Sequence, residues 1–201
     1  LLPAGGARNA IDCALWDLEA KQAGQSIFKL IGLPSSPVVT VNTVTIDTPR
    51  KMANKARAIT SSQIKVKLDD QQPMERITAV RNARPDAVIV VDVNEGWRFS
   101  QLVELAPQFK VLGIEMIEQP LPRGEDEALE AYQSPIVLCA DESCLDTSEL
   151  EQVAGRYQMV NIKLDKTGGL TEAMKLAWRA REKGLKLMVG NMTGTSLAMA
   201  P

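Results

Sequence analysis

Six residues of this 201-residue chain have the types and spacing to do chemistry together: the acids Asp92, Glu118 and Asp141, and the lysines Lys65, Lys67 and Lys163. Three carboxylates that meet at one point cannot all stay ionised in a dry site without a cation. Their hard oxygens, in a sequence without histidine or metal-site cysteine spacing, select Mg²⁺, which usually leaves positions open for water and substrate oxygens. Any one of these acids alone would read equally well as a solvated strand end. Three in successive units are far harder to read as solvated strand ends.

The absence of histidine removes Ser-His-Asp and Cys-His nucleophile systems, His-ligated zinc and imidazole acid-base catalysis. Proton chemistry must then use Lys, Asp, Glu, Tyr or Cys. In Gln63-Ile64-Lys65-Val66-Lys67-Leu68, strand alternation puts both amines on one face, about 7 Å apart. At an effective dielectric of about 20 that separation gives about 2.4 kcal/mol of repulsion, a lowering of under about 2 pKa units. A lysine must fall by about 3 units from about 10.4 to act as a base near neutrality, so the neighbour alone does not suffice. A divalent ion and partial desolvation would add to the shift, and the metal's own carboxylates would oppose it. A Lys-x-Lys pair by itself is a weak signal, since lysines decorate many exposed strands. Lys163, in Val160-Asn161-Ile162-Lys163-Leu164-Asp165, repeats the strand-end pattern. On the second and sixth strands of a closed barrel, Lys67 and Lys163 would face each other across the mouth. That placement suits removal of a proton from one face of a substrate and delivery to the other.

These residues need a frame, and the chain supplies a strand and helix rhythm. The strand candidates are Val38 to Ile46, Gln63 to Leu68, Val88 to Val93, Ile114 to Glu118, Ile136 to Asp141, Met159 to Leu164 and Lys186 to Asn191. An amphipathic helix from Ala7 to Ala23, with Ala10, Ile11, Ala14, Leu15 and Leu18 at helical spacing, precedes them. Helices follow over Pro49 to Thr60, Met74 to Arg84 and Leu170 to Lys183, the last expected to bury Leu170, Met174, Ala177, Trp178 and the stem of Arg181. Lys67, Asp92, Glu118, Asp141, Lys163 and Asn191 close successive strands at gaps of 25, 26, 23, 22 and 28 residues. Nearly continuous apolar runs such as Val88-Ile89-Val90-Val91 fit a parallel sheet covered on both faces. Together these features predict an α/β fold, a partial (β/α) TIM-type barrel of about seven βα units with its catalytic residues at the C-terminal strand ends. An open doubly wound sheet is the alternative, without a glycine-rich fingerprint after the first strand to support it. Residues 1–35 read as a lead-in helix and linker, and 36–201 as barrel strands 1 to 7. A start without Met and a stop in the helix after the seventh strand predict an internal portion of a longer protein.

Composition narrows the partners. With 23 Lys+Arg against 25 Asp+Glu and few aromatic residues, the chain offers neither a basic stripe nor a stacking platform for nucleic acid. It has no apolar run of the ~20 residues that span a bilayer and no signal-peptide pattern, so a cytoplasmic protein without a membrane partner is expected. Cys13, Cys139 and Cys144 read as reduced thiols. Gly168-Gly169 before a helix reads equally as an anion cradle or a tight turn. Glu142 is expected to point away from Asp141's site by alternation, Asn94 and Lys166 to support it from outside, and Trp16, Trp97 and Trp178 to be packing residues.

Lys65-Val66-Lys67, Val91-Asp92-Val93-Asn94, Ile117-Glu118-Gln119-Pro120-Leu121, Ala140-Asp141-Glu142-Ser143 and Asn161-Ile162-Lys163 resemble the muconate-lactonizing branch of the enolase superfamily, in the right order and over essentially the whole chain. The resemblance implies a (β/α)7β barrel in which Asp92, Glu118 and Asp141 bind Mg²⁺. It makes Lys67 and Lys163 the opposed acid-base pair, with Lys65 assisting the enolate and Asn94, Asn161 and Lys166 around them; enolase-superfamily sites pair a Lys or His base with Mg²⁺. Within that branch, residues 161–173 and 190–201 are similar to the L-Ala-D/L-Glu dipeptide epimerases. The implied activity is an isomerase reaction: Mg-dependent epimerisation of a dipeptide by two-lysine 1,1-proton transfer, in murein peptide metabolism and peptidoglycan recycling. The partner would be a small-molecule dipeptide, and a homo-oligomer is compatible with the resemblance. The family's N-terminal capping domain and eighth strand, with its Asp-x-Asp motif for the dipeptide's ammonium group, are expected to be missing, leaving the 201 residues inactive alone. Rival reactions in the branch are o-succinylbenzoate synthesis, N-succinylamino-acid racemisation and muconate cycloisomerisation. Further off stand a Schiff-base aldolase using Lys163 and a non-catalytic barrel module.

Overall fold

A computed structural model describes residues 2–34 and 37–200; the expected boundary at 35 to 36 lies outside the described residues. In chain order the elements are α1 (Gly6–Ala23), α2 (Ile27–Leu30), β1 (Asn42–Val44), α3 (Pro49–Ala58), β2 (Gln63–Lys67), α4 (Pro73–Ala83), β3 (Val88–Asp92), α5 (Phe99–Val111), β4 (Ile114–Glu118), a 3₁₀ turn (Glu127–Ala131), β5 (Val137–Ala140), α6 (Leu150–Ala154), β6 (Met159–Lys163), α7 (Leu164–Thr167), α8 (Leu170–Glu182), β7 (Lys186–Gly190) and α9 (Ser196–Met199). They divide into two compact units. One holds Val39–Ser143 and Gln152–Met159; the other holds the residues up to Val38, Cys144–Glu151 and those from Val160 onward.

In the first unit β1 to β5 lie side by side in chain order, all parallel. A doubly wound sheet would reverse its strand order at a switch point, and these five strands have none. The register sets Lys67 beside Asp92, Asp92 beside Glu118 and Glu118 beside Cys139, so the polar strand ends form one row. Alternation in β2 buries Ile64 and Val66 and turns Lys65 and Lys67 to the other face, as the sequence pattern requires. The core collects Ile64, Val66, Ile89, Val91 and Ile117 from the strands and Met52, Ala56, Ile77, Val80, Leu102 and Phe109 from α3, α4 and α5. Each such side chain contributes about 1.5–3 kcal/mol by leaving water. Proline at the start of α3 and α4 supplies a fixed φ where no backbone donor is needed. β1 is shorter than expected, since Val38 and Val39 are exposed and only Asn42–Val44 joins the ladder.

In the second unit β6 and β7 are sheet neighbours, and α1 packs on α7 and α8. Here two expected helix faces are corrected. α8 buries Ala173, Leu176 and Ala180, while of the expected stripe Leu170, Met174 and Ala177 are half-buried and Trp178 is exposed, so the buried face is rotated from the expected one. In α1, Ile11, Leu15 and Leu18 are exposed and the buried residues are Asn9 and Ala20. Periodicity finds a helix but cannot say which of two plausible stripes has a neighbour.

The glycine pair before α8 is also explained. Gly168 and Gly169 have positive φ, 75° and 126°, and a Cβ on Gly169 would stand 2.4 Å from the Asp12 side chain. Asp12 Oδ2 accepts the backbone N–H of Thr171 at 3.0 Å, so a carboxylate from α1 occupies the start of the helix. Trp16 Nε1 donates to Thr171 Oγ1 at 2.9 Å beside it.

Candidate active site

The C-terminal strand ends of the first unit gather six of the expected residues: Lys65, Lys67, Asp92, Asn94, Glu118 and Asp141. Asp92 and Glu118 end β3 and β4, and Asp141 follows β5 directly. All three acids are at most 1% exposed. Lys65 Nζ lies 2.7 Å from both Asp92 Oδ2 and Glu118 Oε2, and Lys67 Nζ lies 2.7 Å from Asp92 Oδ2. Lys67 also donates to Asn94 Oδ1, and Asn94 Nδ2 donates to Glu142 Oε1 at 3.2 Å. Asn94 therefore touches the lysine itself. Glu142 does not point away as expected: β5 ends at Ala140, and strand alternation has no authority past that point.

Burial pulls the Lys65 ammonium towards losing its proton, but the Glu118 and Asp92 carboxylates more than reverse this and leave its pKa raised. Burial raises the pKa of Glu118, as do Asp92 and Asp141, with Lys65 opposing them. Glu142 is raised by burial and by Asp141, and eased by Asn94. Lys65 and Lys67 thus both set positive charge against these acids.

Three buried hard-oxygen donors of one type fit a divalent cation. Among the described residues no three such side chains already stand as a coordinating set; Lys65 bridges two of the acids instead. Asp92, Glu118 and Asp141 are the residues that would hold the ion.

Sequence reasoning missed the group that aligns these acids. Gln119 is wholly buried with φ 35°, in the left-handed region. Its Oε1 accepts the backbone N–H of Asp141 at 2.9 Å and of Ser143 at 3.0 Å. Its Nε2 donates to Leu121 O and Ser143 Oγ, both at 2.8 Å, and to Tyr157 OH at 3.2 Å. One side chain thereby ties the residue after Glu118 to the loop that carries Asp141. Ser143 and Tyr157 each donate to Asp126 Oδ2 at 2.7 Å, and Arg156 Nη1 meets Asp126 Oδ1 at 2.6 Å. The Tyr157 hydroxyl's pKa is raised, first by burial and then by Asp126. A glutamine after a strand-end acid was the visible signal, but all its partners except Leu121 lie 22 to 38 residues away and no local pattern names them.

The remaining expected residues belong to the second unit. Lys163 ends β6 and is half-buried, while Asn161 is buried two residues earlier on the same face. Lys166 Nζ donates to Asn161 O at 2.8 Å and Cys144 O at 3.0 Å, which makes it a tie between backbone segments.

Comparison with known proteins extends this picture. Residues 50–201 match the family described as enolase C-terminal domain-like, and residues 1–32 match the mandelate racemase / muconate lactonizing enzyme N-terminal domain. The chain is 51% identical to an L-Ala-D/L-Glu epimerase of Escherichia coli K12 over 205 residues, covering all of this chain and 64% of that protein. It is 50% identical to an N-acetyl-D-glutamate racemase of a Pseudoalteromonas species over 201 residues, again covering 64% of the relative. A solved L-Ala-D/L-Glu epimerase superposes with a TM-score of 0.94 at 51% identity, over 99% of this chain and 64% of that one. A dipeptide epimerase from Cytophaga hutchinsonii, solved with Mg and D-Ala-L-Val, gives a TM-score of 0.90 at 28% identity, over 96% of this chain and 55% of that one. The chain thus spans about two thirds or less of the proteins it resembles. On the family match over residues 50–201 and the shared fold, the chain belongs to the enolase superfamily, in its mandelate racemase and muconate lactonizing enzyme group.

Proposed function

We propose that the protein containing this chain is an Mg²⁺-dependent isomerase that inverts the α-carbon of an N-acylated glutamate, with L-Ala-D/L-Glu dipeptides as its substrate. The observation that carries this reading is the row of buried acids at the strand ends with lysines set against it. A divalent ion held there would neutralise the substrate carboxylate and lower the cost of enolate formation. Asp92, Glu118 and Asp141 bind that ion. Lys67, within reach of Asp92 and Asn94, takes or gives the α-proton on one face. Lys163 acts on the other. Lys65, its proton held by two carboxylates, places permanent positive charge where negative charge develops.

Both curated relatives support the same chemical core, since L-Ala-Glu and N-acetylglutamate are each glutamate with an acylated nitrogen. They differ in the free ammonium group of alanine. Racemisation of N-acetylglutamate is therefore the second reading, favoured by the 50% identity to such a racemase. On the first reading the dipeptide derives from murein peptide breakdown. A cytoplasmic setting is part of this reading, and Cys13, Cys139 and Cys144 standing outside any disulfide are consistent with a reducing compartment. Assignment of 36–201 to the barrel domain is supported by the family match over 50–201, whereas residues 1–32, expected as a lead-in with the N-terminal domain missing, match part of that N-terminal domain instead.

The test is to incubate the full-length protein with Mg²⁺ in D₂O, separately with L-Ala-L-Glu and N-acetyl-L-glutamate, and to follow the glutamate α-proton by NMR. Deuterium incorporation and the D-epimer should appear fastest with the dipeptide and stop on chelation. Faster exchange with N-acetylglutamate would select the second reading, and no exchange with either would overturn both.

A further inference from the structure

Gly190 ends β7, in the same unit as Asn161 and Lys163 at the end of β6. Its φ lies outside the left-handed region, so backbone conformation does not require glycine there. Space does. A Cβ at this position would stand 2.7 Å from Asn161 Oδ1, 2.9 Å from Asn161 Nδ2 and 3.1 Å from Lys163 Cε. Asn161 is 1% exposed, so its amide has no solvent to swing into, and the methylene next to the Lys163 amine would have to give way too.

We propose that Gly190 is a positioning residue for Lys163: its missing side chain is the space in which the Asn161 amide and the end of the lysine stem are seated. This rests on Lys163 being one of the two proton-transfer groups. Proton transfer is steeply sensitive to placement, because the amine must lie within hydrogen-bond reach of the α-carbon's proton. A methyl group at 190 shifts that amine by pushing on the carbon that bears it, while Lys67, on β2 in the other unit, keeps its own neighbours.

The test uses the full-length protein with Mg²⁺ in D₂O and reads exchange of the glutamate α-proton separately in L-Ala-L-Glu and L-Ala-D-Glu. Lys163→Ala first identifies the epimer that Lys163 serves, and Lys67→Ala identifies the other. Gly190→Ala should slow exchange of the Lys163 epimer by about tenfold to a hundredfold and leave the other within about twofold, the scale expected of a misplacement near 1 Å. Mg²⁺ affinity, measured by calorimetry, should be unchanged. Equal slowing of both epimers, or of neither, would overturn the proposal. If the lysine variants show no epimer preference, the two-lysine reading fails before Gly190 is tested, and the proposal fails with it. Should Gly190→Ala not fold, Gly190→Ala with Asn161→Ala, compared with Asn161→Ala alone, removes the two closest clashes. The 3.1 Å contact with Lys163 then remains to produce the same one-sided loss.

Discussion

Lys65 and Lys67 meet at one atom, each ammonium lying 2.7 Å from Asp92 Oδ2. Their other partners separate them. Lys65 turns to Glu118, at 2.7 Å, and Lys67 turns to the neutral amide of Asn94. Two lysines spaced for one face thus have different partners, two carboxylates for one and a carboxylate with a neutral amide for the other, which is the difference the proposed roles draw on.

Lys65→Met removes a cation that bridges two buried acids. Leaving such charges uncompensated costs about 3–5 kcal/mol, and the protein should unfold at lower urea concentration when divalent ions are absent. Mg²⁺ should restore more stability to this variant than to the parent, because it replaces the missing charge. Equal Mg²⁺ effects on both proteins would contradict the assignment of Asp92 and Glu118 as ligands.

Gln119→Leu leaves the N–H groups of Asp141 and Ser143 without the side-chain oxygen that accepts them. Each buried orphan costs about 1–3 kcal/mol, so thermal unfolding should report a loss of about 2–6 kcal/mol. Mg²⁺ affinity measured by calorimetry should fall as well. A stability loss with unchanged affinity would confine Gln119 to folding.

Arg156→Met strands Asp126, which is 2% exposed and receives bonds from Arg156, Ser143 and Tyr157. Removing one partner of a buried pair costs about 3–5 kcal/mol, and chemical denaturation should show it. A change below about 1 kcal/mol, the usual value of an exposed ion pair, would mean that water reaches the pair.

Asp12→Ala removes the carboxylate at the start of α8, at an expected cost of about 1 kcal/mol by thermal unfolding. Gly169→Ala should cost more, since it adds a clash with Asp12 to a φ of 126°. The double variant should recover part of that cost if the clash is its source.

The strands were legible because each carries period-two alternation or a short apolar run ending in a polar residue; all seven expected strands have a counterpart in the structure. The first was overextended because Val38 and Val39 look like strand residues yet have no partner in the ladder. Helix faces were harder. Leu170, Met174 and Trp178 on one stripe and Ala173, Leu176 and Ala180 on another are both at helical spacing, and only the neighbours choose between them. The strand-end acids and Lys65 with Lys67 could be read from residue type and register, and the structure sets Lys65, Lys67, Asp92 and Glu118 together. Gln119, Asp126, Arg156 and Gly190 could not, since each is defined by groups far away in sequence or by a space that only folding creates.

The central claim is that Lys67 and Lys163 serve opposite faces of one α-carbon. It is tested most directly by α-proton exchange in D₂O with Lys67→Ala and Lys163→Ala forms of the full-length protein, each offered L-Ala-L-Glu and L-Ala-D-Glu. Each variant should lose exchange with one epimer and keep it with the other, and the two should lose opposite epimers. Loss of both epimers by one lysine variant, with no loss by the other, would contradict it.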